Sequence, residues 1–374
     1  MMPTMCKLQS HVYQFTIRHW LVWLLLPTML LSGCASTLPP IEKMTPVTSC
    51  EATKDNCYHL GRIQFDEYRH NKLKQIEHRS GSYRLPSAPT AHLHPTRTKY
   101  SVLLIHGLND SAFYMDDIAE LLHKQGFNVL TILLQGHGTD TKDMLKVTAE
   151  QWRSDVTQGL QMASLIGEKI LVGGFSLGGA LAIDATFRSP NIHGLLLFSP
   201  AIKLRSFNTV SSLACAPGLR TFSVETDLQI NPVKYKYRFG NGVCQLSRLI
   251  KSNLTNSKIQ NEKQAIFSEK PHVIAQRLQV PTFIALSYAD ARISPEAVLD
   301  WSSKINAPVT VTTFGVATNN SAPKFLNGGK IIHINNENLP HSFLARRSNQ
   351  YNGQENPYFD EMGKIITRFM NQHF

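Results

Sequence analysis

The sequence predicts an α/β protein built on a doubly wound, mostly parallel sheet with a helical cap insertion. Three observations carry that reading. From Tyr100 onward, short continuous apolar runs alternate with stretches of helical period, the pattern of strands buried on both faces and joined by crossover helices. A Gly-rich turn, Gly174-Phe175-Ser176-Leu177-Gly178, falls where one such run gives way to a helix of small residues. Residues 202–275 break the alternation with Pro217, Pro232, Gly240 and Gly242, after which it resumes.

Ser101–Ile105 is the first strong strand. Asp110 or Ser111 then caps a helix with Met115, Ile118, Ala119 and Leu122 on one face, and Gly126 ends it. Phe127–Leu134 is the next strand. Thr148-Ala149-Glu150-Gln151 has the form of a capping box, opening a helix striped by Trp152, Val156, Leu160 and Ala163. Ile170–Val172 is strand, followed by the Gly-rich turn, a helix stopped by Pro190, and a strand at His193–Ser199. Past the interruption come a strand at Thr282–Leu286, a helix at Pro295–Ser303 and strands at Val309–Phe314 and Lys330–Ile334. An amphipathic helix at Tyr358–Met370 closes the chain.

The 374 residues are 42% apolar and 17% charged, which excludes intrinsic disorder and allows two domains or one large domain with an insertion. Residues 1–33 stand apart. They hold Lys7 and Arg18, no acidic residue, and the apolar run Trp20–Leu31. Twelve residues rise about 18 Å as a helix, short of a bilayer core of about 30 Å. We read an export signal, with an uncleaved N-terminal anchor as the alternative. Leu31-Ser32-Gly33-Cys34 resembles a bacterial lipobox; the resemblance implies cleavage before Cys34, diacylation of its sulfur and, with Ala35 following, the outer membrane. Loss of Lys7 and Arg18 would take the formal charge from +11 to +9. Residues 34–97 read as a flexible tether followed by irregular structure that has room for one helix or strand.

Cys50, Cys57, Cys215 and Cys244 remain. Proximity in sequence favours Cys50–Cys57 and Cys215–Cys244 in an oxidising compartment, with four buried thiols as the alternative. Neither Cys-x-x-Cys nor His-Glu-x-x-His spacing occurs, so no metal and no cofactor is called for. Lys234, Lys236 and Arg238 and the pair Arg346-Arg347 are local basic groups suited to an anionic surface. No nucleic-acid motif accompanies them, and nucleic acid is not expected as a partner; we expect a monomer.

The chemistry centres on Ser176. In Gly-x-Ser-x-Gly the turn is so tight that the residues two before and two after the serine must lack bulk. A hydroxyl needs a base, and the base an orienting acid, here in the chain order Ser, acid, His. Asp290, just past the strand ending at Leu286, is the candidate acid, and His341, between the last strand and the final helix, the candidate base. His106-Gly107-Leu108-Asn109 follows the first strand, and we assign the oxyanion hole to the N–H groups of Leu108 and Leu177. We place His106, Gly107 and His137 at the substrate edge of the site, His106 bracing its loop and His137 mainly structural.

His106-Gly107, Gly136-His137-Gly138, Gly174–Gly178, Asp290 and His341 together resemble the α/β-hydrolase superfamily, in its monoacylglycerol lipase and bacterial carboxylesterase (lysophospholipase-like) branch. The resemblance covers residues 98–374, with the cap at about 202–275, and implies Ser176 as nucleophile, Asp290 as acid and His341 as base. Ester hydrolysis through an acyl-enzyme is then the expected activity, on a lipid or small acyl ester. Phe207, Leu213, Phe222, Tyr235, Tyr237 and Phe239 of the cap would form the acyl wall, or simply the cap's own core. Amide or peptide cleavage, acyl transfer, and a non-catalytic envelope scaffold are the alternatives.

Overall fold

The computed structural model describes residues 54–205, 213–225, 231–255, 275–317, 325, 328–347, 350–352 and 355–374. The expected signal, Cys34 and Cys50 lie outside them. In chain order the first half contains α1 (Lys54–Ser80), β1 (Ala91–His92), β2 (Thr98–Ile105), α2 (Asp116–His123), β3 (Asn128–Ile132), α3 (Ala149–Ile166) and β4 (Gly167–Phe175). There follow α4 (Leu177–Arg188), β5 (Ile192–Phe198), β6 (Ser223–Glu225), β7 (Tyr237–Phe239) and α5 (Gly240–Thr255). The chain ends with β8 (Thr282–Ser287), α6 (Pro295–Ser302), β9 (Val309–Phe314), β10 (Lys330–Asn335) and α7 (Phe359–His373).

Eight strands form one sheet in the order β1-β3-β2-β4-β5-β8-β9-β10. Only the edge strand β1 is antiparallel to its neighbour. Alternate side chains of one strand feed two cores. Leu103 and Ile105 pack with α3, α4 and α6 on one face, while Val102 and Leu104 pack with α2 and α7 on the other. The sheet is therefore covered on both sides, which is why its strands read as unbroken apolar runs.

Three expectations need correcting. The N-terminal extension is more ordered than expected, carrying both a 27-residue helix, α1, and the short strand β1 where one helix or strand is expected. The buried stripe of α1 passes through Tyr58, Phe65, Tyr68 and Ile76, but Gly61 and Lys72 interrupt it. Gly61 lets the helix close on α3, since a Cβ there would lie 2.8 Å from Leu165 and Ile166, and Lys72 meets Asp155 at 3.8 Å. A stripe carrying a glycine and a lysine gives little apolar periodicity. The cap's described part is not all helical: β6 and β7 pair antiparallel before α5, and alternation over three residues is too short to show in sequence. Finally, Ala112–Met115 is a 3₁₀ turn, and α2 starts at Asp116.

Cys215 and Cys244 are disulfide-bonded, tying the cap's hairpin region to α5. Cys57 is also disulfide-bonded. Among the described residues no helix is long and apolar enough to cross a membrane.

A buried ion cluster joins α3, α4 and α5. Asp184, fully buried, accepts from Arg153 at 2.7 Å and from Arg188 at 2.8 Å, while Arg153 also donates to Ser252 of α5. Removing the carboxylate would leave two largely buried guanidinium groups facing each other. Asp184→Ala should cost about 3–5 kcal/mol, read as a lowered urea midpoint at unchanged m-value.

Candidate active site

The turn between β4 and α4 presents Ser176 with φ 54° and ψ −110°, a conformation that non-glycine residues hold only when neighbours enforce it. The enforcement is visible. Ser176 N–H donates to the Phe198 carbonyl at 3.0 Å, and the Ser176 carbonyl accepts from Ala201 and Ala180. Two glycines are sterically required: a Cβ on Gly174 would lie 2.2 Å from the Gly178 carbonyl carbon, and one on Gly178 would lie 2.0 Å from the Ile105 carbonyl oxygen. The N–H of Leu177, at the first position of α4, has no acceptor inside its helix and faces the favourable end of the helix dipole.

Asp290 sits in the loop after β8 and is almost wholly buried. Its Oδ1 accepts from the N–H groups of Arg292 at 2.7 Å and Ile293 at 2.9 Å. Its Oδ2 accepts from the Ser199 hydroxyl and from His341 Nδ1, the latter at 2.6 Å. Burial pushes this carboxyl's pKa up, but the His341 charge and the hydrogen bonds from His341, Ser199 and Ile293 outweigh it, and the net shift is downward. The acid is held ionised. The His341 ring lies against that of Phe175, with centroids 4.6 Å apart, so it stands beside the residue preceding the nucleophile. With Nδ1 committed to Asp290, Nε2 is the nitrogen left to accept a proton.

Ser199 was not visible from sequence as part of this site. Its φ of 43° and its place at the end of β5 aim its hydroxyl at Asp290; the one signal was a polar residue between the strand and Pro200. Asp110 was read only as a cap. It is in fact buried at the oxyanion loop, close enough that a Cβ on Gly107 would meet its Oδ2 at 2.5 Å and Phe175 Cδ1 at 2.9 Å. That crowding explains Gly107 without assigning it to substrate.

His106 and His137 are both buried, at the loops after β2 and β3. His106 is fully buried, donates from Nδ1 to the Gly107 carbonyl and accepts at Nε2 from Leu134 N–H, bridging the loops after β2 and β3. Burial lowers its pKa to about 4. His137 is buried beneath Tyr235, with its Nδ1 on the Gln135 carbonyl, and burial followed by the nearby His106 holds its pKa well below the usual value. It borders a cavity of about 290 Å³ between α1 and the loop after β3, whose lining includes none of Ser176, Asp290 and His341.

Both imidazoles stay neutral in the fold but charge near pH 6.5 once unfolded. Their folded pKa values are depressed, so stability is lost as pH falls below about 6.5, and for His106 the loss continues to about 4. Acidification from pH 7 to pH 5 should cost about 2 kcal/mol through His106, with His137 adding a loss of the same sign. Urea titrations across that range should show it, and His106→Gln should remove one proton's share of the slope.

Of the six cap residues expected as an acyl wall, Phe207 lies outside the described residues. Tyr235 is buried and its hydroxyl accepts from Thr139 N–H, while Phe239 is half-buried against the core. Leu213, Phe222 and Tyr237 are exposed. The cap meets the oxyanion loop directly: Tyr235 N–H donates to the Asn109 carbonyl at 2.8 Å, and Asn109 Nδ2 donates to the Tyr237 carbonyl.

Comparison with known proteins now fits onto this frame. Residues 96–226 match a family described as serine aminopeptidase, S33. The chain is 32% identical over 103 residues to a thermostable monoacylglycerol lipase of Bacillus sp. (strain H-257), a match spanning 28% of this chain and 41% of that relative. Among solved structures, the Paleococcus ferrophilus monoacylglycerol lipase superposes with a TM-score of 0.51 at 18% identity, over 76% of this chain and 98% of that one. A soluble variant of the Saccharomyces cerevisiae monoglyceride lipase, in complex with a substrate analog, gives 0.54 at 14%, over 76% and 91%. Those two likenesses speak for the fold. Sheet order and these likenesses give the chain the α/β-hydrolase fold, and within it residues 96–226 are similar to the serine aminopeptidase, S33 family.

Proposed function

We propose that the chain is a serine hydrolase of acyl esters. The observation that carries this is a serine held at positive φ on the strand-to-helix turn, flanked by Phe175, against whose ring lies an imidazole hydrogen-bonded to a buried carboxylate. In this reading His341 Nε2 takes the Ser176 proton as Oγ attacks the ester carbonyl, and the N–H groups of Leu108 and Leu177 receive the developing oxyanion. Collapse of the tetrahedral intermediate expels the alcohol with a proton from His341 and leaves an acyl-enzyme. Water, deprotonated by His341, then releases the acid and restores Ser176. Asp290 holds the imidazole in the tautomer that can accept a proton and stabilises its charged form.

The test is labelling by a fluorophosphonate together with turnover of monoacyl esters of graded chain length. Labelling at Ser176 with ester turnover supports the proposal; turnover without Ser176 labelling defeats it. Amide cleavage has the description of the matched family in its favour, and aminoacyl amides in the same panel separate the two.

We further propose that the protein works as a monomer tethered through a lipidated Cys34 to the outer membrane, facing the periplasm. The disulfide at Cys215–Cys244 supports an oxidising compartment. Mass spectrometry of the N-terminal peptide from membrane fractions tests it, with an unmodified Cys34 as the adverse result.

A further inference from the structure

We propose that the cavity between α1 and the loop after β3 is a second ligand site, taking a small molecule that bears a carboxylate or phosphate, and that its occupancy raises turnover at Ser176. The site itself is independent of the ester-hydrolase reading; only the effect on turnover rests on it.

The N-terminal extension builds one wall of this cavity of about 290 Å³. Lys72, Gln75 and Arg79 line it from α1, at a spacing of three and four residues that sets them on one helix face. Residues 134–151 supply the rest of the lining. The α1 wall precedes residue 96, where the family match begins, so it lies outside the stretch that resembles that family.

Two ion pairs run from α1 across to the core. Arg79 Nε donates to Asp143 Oδ2 at 3.2 Å, and Lys72 Nζ lies 3.8 Å from Asp155 Oδ1. The second separation is too long for a hydrogen bond, and among the described residues Lys72 Nζ makes none. The Lys72 side chain is only 13% exposed. An ammonium group with three donors has thus lost most of its water without gaining an acceptor. Lys146, also in the lining, has no ion pair among the described residues. Three cations against the carboxylates of Asp143 and Asp155 leave one net positive charge around the cavity. A small oxyanion supplies the missing charge and the acceptors that Lys72 and Lys146 lack.

The lining also reaches the supports of the oxyanion loop at both ends. Leu134 donates its N–H to His106 Nε2 at 3.1 Å, and His106 Nδ1 donates to the Gly107 carbonyl at 2.8 Å. Thr139 donates its N–H to the Tyr235 hydroxyl at 3.0 Å, and the Tyr235 N–H donates to the Asn109 carbonyl at 2.8 Å. Gly107 and Asn109 flank Leu108, the proposed oxyanion donor. A ligand that pins α1 to residues 134–139 therefore steadies both anchors of the loop. The benefit falls on the transition state, where the oxyanion forms, rather than on the bound ester.

Calorimetric titration of the full chain with inorganic phosphate, glycerol 3-phosphate, acetate and butyrate tests the site, with glycerol and sodium chloride as controls. One anion per protein should bind with Kd on the order of 1 mM or tighter, and the series that binds identifies phosphate or carboxylate. Binding should persist after a fluorophosphonate has blocked Ser176, since Ser176, Asp290 and His341 are absent from the lining. Lys146→Gln and Lys72→Met should each weaken it roughly tenfold. Lys146→Gln leaves both cross-wall ion pairs in place, so it decides the matter even if Lys72→Met does not fold. At constant ionic strength, the saturating anion should raise kcat on 4-nitrophenyl butyrate roughly fivefold or more with KM little changed. Lys146→Gln should need roughly tenfold more anion for the same effect. No saturable binding of any of the four anions, binding lost on blocking Ser176, or binding unmoved by Lys146→Gln overturns the site. Binding with kcat unchanged overturns its effect on turnover. Absence of turnover on every ester, with Ser176 unlabelled, defeats the hydrolase reading instead, and the calorimetry still decides the site.

Discussion

Ser176→Ala is expected to lower kcat toward acyl esters on the order of 10⁴-fold or more, with complete loss of fluorophosphonate labelling. The size of the effect follows from the site's construction. The turn leaves room for one side chain to stand above the sheet, because its flanks at Gly174 and Gly178 are closed by backbone within 2.2 Å of any added Cβ. The buried Ser199 does not substitute, since its hydroxyl is already bound to Asp290 Oδ2. What remains after the substitution is the imidazole, the carboxylate and the oxyanion donors. Those lend water some residual catalysis but form no acyl-enzyme. The variant should fold normally, since alanine accepts the same backbone hydrogen bonds, and its melting temperature should stay within a few degrees. Burst kinetics on a 4-nitrophenyl ester provide the measurement: a burst in the parent, none in the variant. A burst surviving in the variant would move the nucleophile elsewhere.

The readable and unreadable parts of this protein divide along a physical line. The strands β2, β4, β5 and β8 were legible because burial on both faces writes itself as continuous apolar sequence. The elbow was legible because its glycines answer a local steric demand. The bond between His341 and Asp290 could be anticipated only from order along the chain, since 51 residues separate them. Features set by distant neighbours were hidden. Ser199 takes its role from a loop 91 residues later. The helix α1 buries a stripe that contains Gly61 and Lys72, so its packing on α3 could not be seen as periodicity. His106 braces its loop through both ring nitrogens, as a histidine between strand and glycine suggests, and His137 rests on the Gln135 carbonyl through Nδ1 alone. The basic run from Lys234 to Arg238 read as a solvated face. Only the fold separates Lys236, paired with Glu225, from Arg238, whose side chain is largely withdrawn from solvent.

Asp290→Asn should reduce kcat by about 10⁴-fold while leaving the fold intact, and the reason can be traced atom by atom. The Arg292 and Ile293 N–H groups both point at the Oδ1 position, so the amide oxygen of asparagine settles there and the NH₂ takes the Oδ2 position. That NH₂ then confronts His341 Nδ1 as a donor, where the carboxylate accepted at 2.6 Å. Two donors cannot share the contact, so the imidazole moves its proton to Nε2. In that tautomer Nε2 has no lone pair to receive the Ser176 proton, and the nucleophile goes unactivated. The Ser199 hydroxyl can reverse its role and accept from the new NH₂, which keeps the loop satisfied and spares stability. The expected signature is therefore a melting temperature within a few degrees of the parent, and fluorophosphonate labelling slowed in parallel with ester turnover. Ser199→Ala removes only one of four donors to Asp290 and should cost far less, roughly tenfold. An Asp290→Asn variant retaining a tenth or more of parental kcat would show that this carboxylate does not set the His341 tautomer.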